Sequence, residues 1–272
     1  MQRLKERKSK AIGKFLGQKN DMSATFAERR KIILEVLAED GSVNVSGLAK
    51  RLGVTVVTAR ADLAALEEEG LLMRTHGGAV PAQHPKLMER MQAGKGLKGA
   101  IAKAAASMIK DGDTVIISAG TTTALIAKYL LGKRDVHIVT NNTLLLTYAR
   151  MNPQLRVTLV GGEFLPEEEG VMGPMALAAL DQFHVSKAFI GIDGASVKQG
   201  FTAHFVESAD LVRKMAEQVD QVVVLSNSGK FGKPGFARIL PFDGIDALVT
   251  DNELTKEFEE KLSTAGVRIV KA

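Results

Sequence analysis

From residue 98 onward, short β-branched apolar runs alternate with amphipathic stretches, and this alternation restricts the fold more than any other feature of the sequence. Strands are predicted over Thr114–Ser118, Val136–Thr140, Val157–Val160, Ala188–Ile192, Val222–Leu225, Ala247–Thr250 and Val267–Val270. Helices are predicted over Lys98–Ile109, Ala124–Leu131, Thr143–Met151, Met175–Leu180, Glu207–Val219 and Thr255–Ala265. Continuously apolar strands are buried on both faces, and strand–helix–strand units close through right-handed crossovers. The fold class is therefore α/β, with residues 98–272 forming a larger domain whose sheet is mostly parallel.

In such sheets ligands sit beyond the carboxyl ends of the strands. The residues expected there are polar and glycine-rich. Ser118-Ala119-Gly120-Thr121-Thr122-Thr123 links the first strand to a helix, where Gly120 permits a tight turn and the threonines, with free amides, form an anion cradle. Asn141-Asn142, Gly161-Gly162 and Gly191-Ile192-Asp193-Gly194 follow the next three strands. Ser226-Asn227-Ser228-Gly229-Lys230 places a cation on the same rim, and Lys98 approaches it. Any one of these loops taken alone reads better as a plain strand-to-helix turn. Their joint position predicts a pocket for a small phosphorylated or polyhydroxylated molecule. No lysine follows the second glycine as in a Walker loop, and the dinucleotide fingerprint is missing, so no cofactor is expected.

Ahead of this domain, residues 22–80 carry a different pattern. Ile32, Ile33, Val36 and Leu37 repeat at helical spacing before Asp40-Gly41. Val45, Leu48, Ala49 and Leu52 form a second stripe, Gly53-Val54 a turn, and Thr55 an N-cap. The next helix is expected to bury Val56, Ala59, Leu63 and Leu66 and to end at Gly70. Leu71–Arg74, the His76-Gly77-Gly78 turn and Ala79-Val80 read as a wing. Two short helices joined by a glycine turn suit the major groove, about 12 Å wide. The outward flank of the second holds Val57, Ala61 and Ala64 beside Thr58 and Arg60, small enough for close approach to bases. Thr55, Val57, Thr58, Arg60 and Ala61, with Arg74 and His76 on the wing, are the candidate DNA contacts. A three-helix interaction domain is the competing reading. Residues 81–97, with Pro81, Pro85, Gly94 and Gly96, read as a linker.

The formal net charge of +5 does not by itself indicate nucleic acid. Residues 1–21 hold seven Lys/Arg and two acids, residues 22–80 seven and eight, and the remainder 22 and 21. The excess thus lies wholly in the basic extension 1–21. That segment is either an arm gripping phosphates or an extension ahead of a start at Met22. Cysteine is absent, which excludes disulfides and thiolate metal sites and fits a reducing, cytoplasmic setting; no metal is expected. No apolar run reaches the roughly 18 residues of a membrane span.

The run from Glu28-Arg29-Arg30 to Gly41-Ser42-Val43, then Leu48-Ala49 to Leu52-Gly53-Val54-Thr55 and Thr58, then Arg60, Asp62-Leu63, Leu66, Gly70 and Arg74 to His76-Gly77-Gly78-Ala79, resembles the winged helix-turn-helix of DeoR-family bacterial regulators. Ala59 replaces a larger aliphatic residue of that pattern, and Ala61 a second arginine. Downstream, Gly120–Thr123, Thr140-Asn141, Gly161-Gly162, Gly173, Phe189–Gly191, Gly200 and Lys230-Phe231 resemble the family's effector domain, which is similar in fold to ribose-5-phosphate isomerase and glucosamine-6-phosphate deaminase. Ser118, Asn227 and Ser208 stand where many members carry acids, which implies a less negative rim and a more anionic ligand.

The resemblance implies a repressor of a carbohydrate-utilisation operon. Its partners would be double-stranded operator DNA and a sugar-phosphate effector held by Lys98, Ser118, Gly120, Thr121, Thr122, Thr123, Asn141, Gly161, Gly162, Asp193, Glu207 and Lys230. It would act as a homodimer or homotetramer, because a single winged module buries only about 600–1,000 Å² on DNA. The alternative is a sugar-phosphate isomerase or deaminase with an appended helical domain, using Asp193, Glu207 or Lys230. Such chemistry needs a tuned carboxylate base, and no histidine pairs with these residues.

Overall fold

A computed structural model describes residues 25–82 and 84–272; the basic extension lies outside them. The chain divides into two compact units, one ending at Pro85 and one beginning at Lys86.

In the first unit, α1 (Phe26–Asp40) starts at a reciprocal cap. The Thr25 hydroxyl accepts the Glu28 amide at 3.4 Å, and the Glu28 carboxylate accepts the Thr25 amide at 2.8 Å. β1 (Val43–Asn44) leads into α2 (Val45–Leu52), and α3 (Val56–Glu68) follows the Gly53 turn. The Thr55 hydroxyl accepts the Thr58 amide at 3.1 Å, so Thr55 is the N-cap that the sequence predicts. β2 (Leu72–Thr75) and β3 (Gly78–Pro81) form the wing. The sheet is antiparallel in the order β1-β3-β2. A Cβ on Gly78 would lie 1.7 Å from the Val43 carbonyl oxygen, so only glycine lets β3 pass β1 here. β1 is too short to give a periodic signal and is not anticipated by sequence reading.

One residue of α3 is corrected. Val56, expected inside, is 39% exposed, and Asp62 takes the inward place with Ala59, Leu63 and Leu66. A buried carboxylate needs a partner, and Asp62 has one in Arg29 of α1, at 2.6 and 2.8 Å. Val56 is not part of the core of Ile33, Leu37, Leu48 and Leu52, and helical spacing alone does not mark where that core ends.

The second unit is built on a seven-stranded sheet in the order β15-β14-β12-β9-β4-β5-β6, parallel throughout. Its strands are β4 (Thr114–Ile117), β5 (Val136–Thr140), β6 (Leu155–Leu159), β9 (Val185–Gly191), β12 (Val219–Leu225), β14 (Ala247–Thr250) and β15 (Arg268–Lys271). Side chains alternate between two cores. Val115, Ile117, Phe189, Val223 and Val249 face α5 (Lys95–Ala106) and α7 (Thr143–Ala149). Ile116, Ala188, Ile190, Val224 and Leu248 face α8 (Pro174–Leu180), α9 (Val206–Glu217) and α10 (Lys256–Thr264). Both faces are covered, which is why the strands read as unbroken apolar runs.

The segment expected to be a linker is not one throughout. Pro85–Gln92 is a helix, α4, with Leu87 and Met88 buried. Proline suits the first turn of a helix, where its missing N–H costs nothing, and Gly94 at φ 62 caps the next one. The helix expected over Ala124–Leu131 starts earlier. It is a short α6 (Thr121–Ala124) followed by a 3-10 turn at Ala127–Leu130. Two small antiparallel additions are also new. One is the hairpin β7 (Glu163–Leu165) with β8 (Gly170–Met172); the other is the sheet β10 (Gly194–Ser196), β11 (Gly200–Ala203), β13 (Ala237–Arg238). Among the described residues no helix is long and apolar enough to cross a membrane.

Candidate functional site

The outward flank of α3 is open. Val57 is 75% exposed, Thr55, Arg60 and Ala61 are exposed, and Thr58 is half-buried. Asn44 and Thr55 cap α2 and α3, and Gly53 at φ 66 turns the chain between them. The flank thus stands on a rigid base. On the wing His76 is exposed, and Met73 is 54% exposed. Arg74 is exposed but engaged: its Nε lies 2.6 Å from Glu67 Oε2, and its amide donates to Glu67 Oε1 at 2.8 Å. Those two hydrogen bonds hold the Glu67 carboxyl below its usual range. The acids at the end of α3 serve as anchors: Glu67 for Arg74, and Glu69 for Arg30 at 2.7 Å.

In the second unit, the strand order reverses direction between β4 and β9. Successive crossovers run one way through β5 and β6 and the other way through β12, β14 and β15. A crevice opens at such a switch point, at the carboxyl ends of the two strands. The pocket found there is lined by Gly120, Thr121, Thr122, Thr123, Asn141, Asp193 and Lys230, seven of the residues expected from the sequence. Ser208, expected at the rim, lines it as well; Arg90, Glu168 and Met172 also line it and were not anticipated. Arg90 sat in the supposed linker, and Glu168 in a turn between unpredicted strands; neither position carries a periodic signal.

The lining residues divide by what their polar atoms already do. The Asn141 side chain is a clip: Oδ1 accepts the Ala119 amide at 2.7 Å, and Nδ2 donates to the Val171 carbonyl at 3.1 Å. Thr123 donates to the Ser118 and Gly120 carbonyls at 2.7 and 3.0 Å. Asn142 caps α7, accepting the Leu145 amide at 3.2 Å, and donates to the Gly120 carbonyl at 3.1 Å. These bonds fix Gly120 at φ 148. The first amides of α6 have no intrahelical acceptor, and the Thr121 and Thr122 hydroxyls belong to the same wall.

The lining also carries four charged side chains, Arg90, Glu168, Asp193 and Lys230. Arg90 Nη1 lies 2.5 Å from Glu168 Oε1 and 3.2 Å from the Glu167 carbonyl. Lys230 Nζ donates to the Ile192 carbonyl, and Asp193 accepts the His204 amide at 2.9 Å. Burial pushes the Lys230 ammonium down, with Asp193 opposing. Burial pushes the Glu168 carboxyl up, against the pull of Arg90.

Five expected residues do not line the pocket. Lys98 lies behind it, its Nζ donating to the Arg90 carbonyl; burial, then repulsion from Lys230 and Arg90, lowers it to about 8. Ser118 accepts the Gly191 amide at 3.0 Å and so ties β4 to β9 from within. Gly161 is exposed, and Gly162 packs on β8, where a Cβ would meet the Met172 carbonyl oxygen at 2.4 Å. Glu207 is exposed on α9, one residue from Ser208, whose side chain does reach the lining.

The comparisons with known proteins agree with this division. Residues 29–84 match the family described as the DeoR-like helix-turn-helix domain, and residues 95–252 match the DeoR C terminal sensor domain. The chain belongs to the DeoR family. It is a DNA-binding transcriptional regulator with a winged helix-turn-helix and an α/β sensor domain. It is 33% identical over 247 residues to the HTH-type transcriptional repressor GlcR of Bacillus subtilis, spanning 89% of this chain and 95% of that one. It is 29% identical to the HTH-type transcriptional regulator GolR of Listeria innocua, spanning 89% of this chain and 97% of that one. Ribose 5-phosphate isomerase A of Methanocaldococcus jannaschii superposes with a TM-score of 0.38 at 18% identity, over 52% of this chain and 56% of that one; a likeness of that size carries no functional argument.

Within this DeoR-family chain, the three positions expected to be acids missing from one rim are not equivalent. Ser208 lines the pocket, but Ser118 and Asn227 do not. The lining holds Arg90 and Lys230 against Glu168 and Asp193, so its side-chain charge balances.

Proposed function

We propose that this regulator represses a carbohydrate-utilisation operon and that a small phosphorylated sugar controls it from the pocket between β4 and β9. Thr55, Val57, Thr58, Arg60 and Ala61 enter the major groove, with His76 and Arg74 of the wing beside them. The observation that carries this reading is Val57, an apolar side chain 75% exposed on the second helix of the turn, between a capping threonine and an exposed arginine. A methyl-bearing surface flanked by one cation is what thymine methyls and phosphates recognise. In the pocket, Thr121 and Thr122 share the lining with Lys230 and Arg90, donors suited to a phosphate. Its anion preference comes from these donors.

The isomerase or deaminase reading has less support. Glu207 does not line the pocket, Asp193 accepts the His204 amide and Glu168 is paired with Arg90, so among the described residues each carboxylate of the lining already has a structural partner. The proposed protein acts in the cytoplasm as a homodimer or homotetramer, since two modules are needed on two half-sites. Electrophoretic mobility shifts on the gene's own upstream DNA, run with a panel of pentose and hexose mono- and bisphosphates, test the reading. One of these compounds is expected to change operator affinity at least tenfold. Indifference to all of them, or turnover of one of them, contradicts it.

A further inference from the structure

α4 lies in the stretch between the two matched family segments, which end at residue 84 and resume at residue 95. Only three residues separate Pro81, the last residue of the wing strand β3, from Pro85, the first of α4. Three contacts fasten α4 to the turn between β7 and β8. Lys86 Nζ lies 2.8 Å from Glu167 Oε2, and Arg90 Nη1 reaches both the Glu167 carbonyl and the Glu168 carboxylate. Leu87 and Met88 are buried beneath them. The Lys98 ammonium holds the Arg90 carbonyl from α5. Arg90 is therefore rooted in a connecting helix while its guanidinium forms part of the pocket wall.

We propose that Arg90 is an effector-binding residue that exchanges anions: it is closed on Glu168 in the free protein and turns to the effector's phosphate when the pocket fills. This rests on the pocket reading given above. The exchange is chemically matched, because carboxylate and phosphate compete for the same guanidinium geometry. Glu168 is only 7% exposed, and a carboxylate left there without Arg90 is costly; burial already pushes its carboxyl up against the pull of Arg90. Asp193, His204 and Arg90 are the charged groups that act on it. Glu168 is thus a built-in competitor that sets the effector threshold.

The test uses the full chain, with inorganic phosphate and a hexose monophosphate as probes. Calorimetry gives probe affinity, and fluorescence anisotropy on upstream DNA gives the ratio of operator Kd with and without probe. Arg90→Gln is expected to weaken both probes at least tenfold and to bring the operator ratio to about one. Arg90→Lys, which keeps the charge, recovers part of the affinity. Glu168→Gln removes the competitor and is expected to tighten phosphate severalfold. If Arg90→Gln lowers Tm but leaves probe affinity and operator ratio at wild-type values, Arg90 is structural only and the proposal fails. If Glu168→Gln weakens phosphate, the exchange is wrong. If the wild type ignores both probes and every other sugar phosphate, the pocket reading itself falls, and this inference falls with it.

Discussion

Arg29 and Asp62, thirty-three residues apart, meet in a two-point ion pair inside the DNA-reading unit: Nε to Oδ2 at 2.6 Å and Nη2 to Oδ1 at 2.8 Å. The pair joins α1 to the middle of α3, and the Asp62 side chain is 5% exposed. It fixes the pitch of α3 from the side opposite Val57 and Arg60. Replacing Arg29 by Met strands a buried carboxylate, which costs about 3–5 kcal/mol when one partner of such a pair is removed. Scanning calorimetry is expected to show a large downward shift confined to one of two transitions. The double change Arg29→Met with Asp62→Leu recovers most of it. An unchanged thermogram for the single variant contradicts this role.

Arg60→Ala is expected to weaken operator binding with little effect on melting, since Arg60 is exposed and forms no ion pair among the described residues of the first unit. A base contact is worth about 1–3 kcal/mol of discrimination, whereas a lost phosphate contact reduces the salt slope by about one. Anisotropy titrations at several salt concentrations separate the two cases.

Arg74 on the wing is held by Glu67. Glu67→Gln frees the guanidinium for phosphate, so DNA affinity is expected to rise and its salt dependence to steepen. Weaker binding in this variant implies that Glu67 presents Arg74 in its working position.

Gly120 holds φ at 148, a conformation that side-chain-bearing residues rarely adopt, and a Cβ there would stand 3.0 Å from Thr123 Oγ1. Gly120→Ala is expected to cost about 1–3 kcal/mol in backbone strain and to abolish the effector response, while operator affinity without effector is retained. Thr122→Val, by contrast, is expected to lower effector affinity without lowering Tm.

Lys98 sits at about 8 because burial, Lys230 and Arg90 all disfavour its charge. A phosphate in the pocket favours that charge and so raises the value. Binding is therefore expected to take up protons near pH 8, with affinity falling as pH rises through about 8; calorimetry in buffers of different ionisation enthalpy measures the uptake. For stability the sign is reversed. Between about 8 and the ordinary 10.5 the unfolded chain binds the extra proton, so this group's contribution to stability rises with pH across that window. Proton release on binding contradicts the assignment.

What could be read in the sequence follows from which interactions leave a pattern. The alternation of Val115, Ile116 and Ile117 between two cores requires a run of apolar residues, and that run is visible. Thr55, Gly53 and Gly120 announce caps and turns because few other residues can do their work. Val56 was misplaced because helical spacing gives a face but does not say where the core beneath it ends. Asp62 was missed as a core residue because its partner lies on another helix. Arg90 and Glu168 escaped for the same reason: each is an ordinary charged residue locally, and only the folded chain brings the connecting helix against the β7–β8 turn. Ser118, Glu207 and the Gly161-Gly162 pair stand at strand ends or a helix start as expected, yet Ser118 and Gly162 turn to other neighbours while Gly161 and Glu207 are exposed away from the pocket lining.

The most direct test of the account is an anisotropy titration of the full chain against its own upstream duplex over a range of salt, with and without a saturating sugar phosphate. Affinity is predicted to fall linearly in log–log form with salt, to be weakened in Arg60→Ala, and to shift at least tenfold with one phosphorylated sugar. Protein that ignores the duplex even at low salt, or binds it with no response to any such compound, contradicts it.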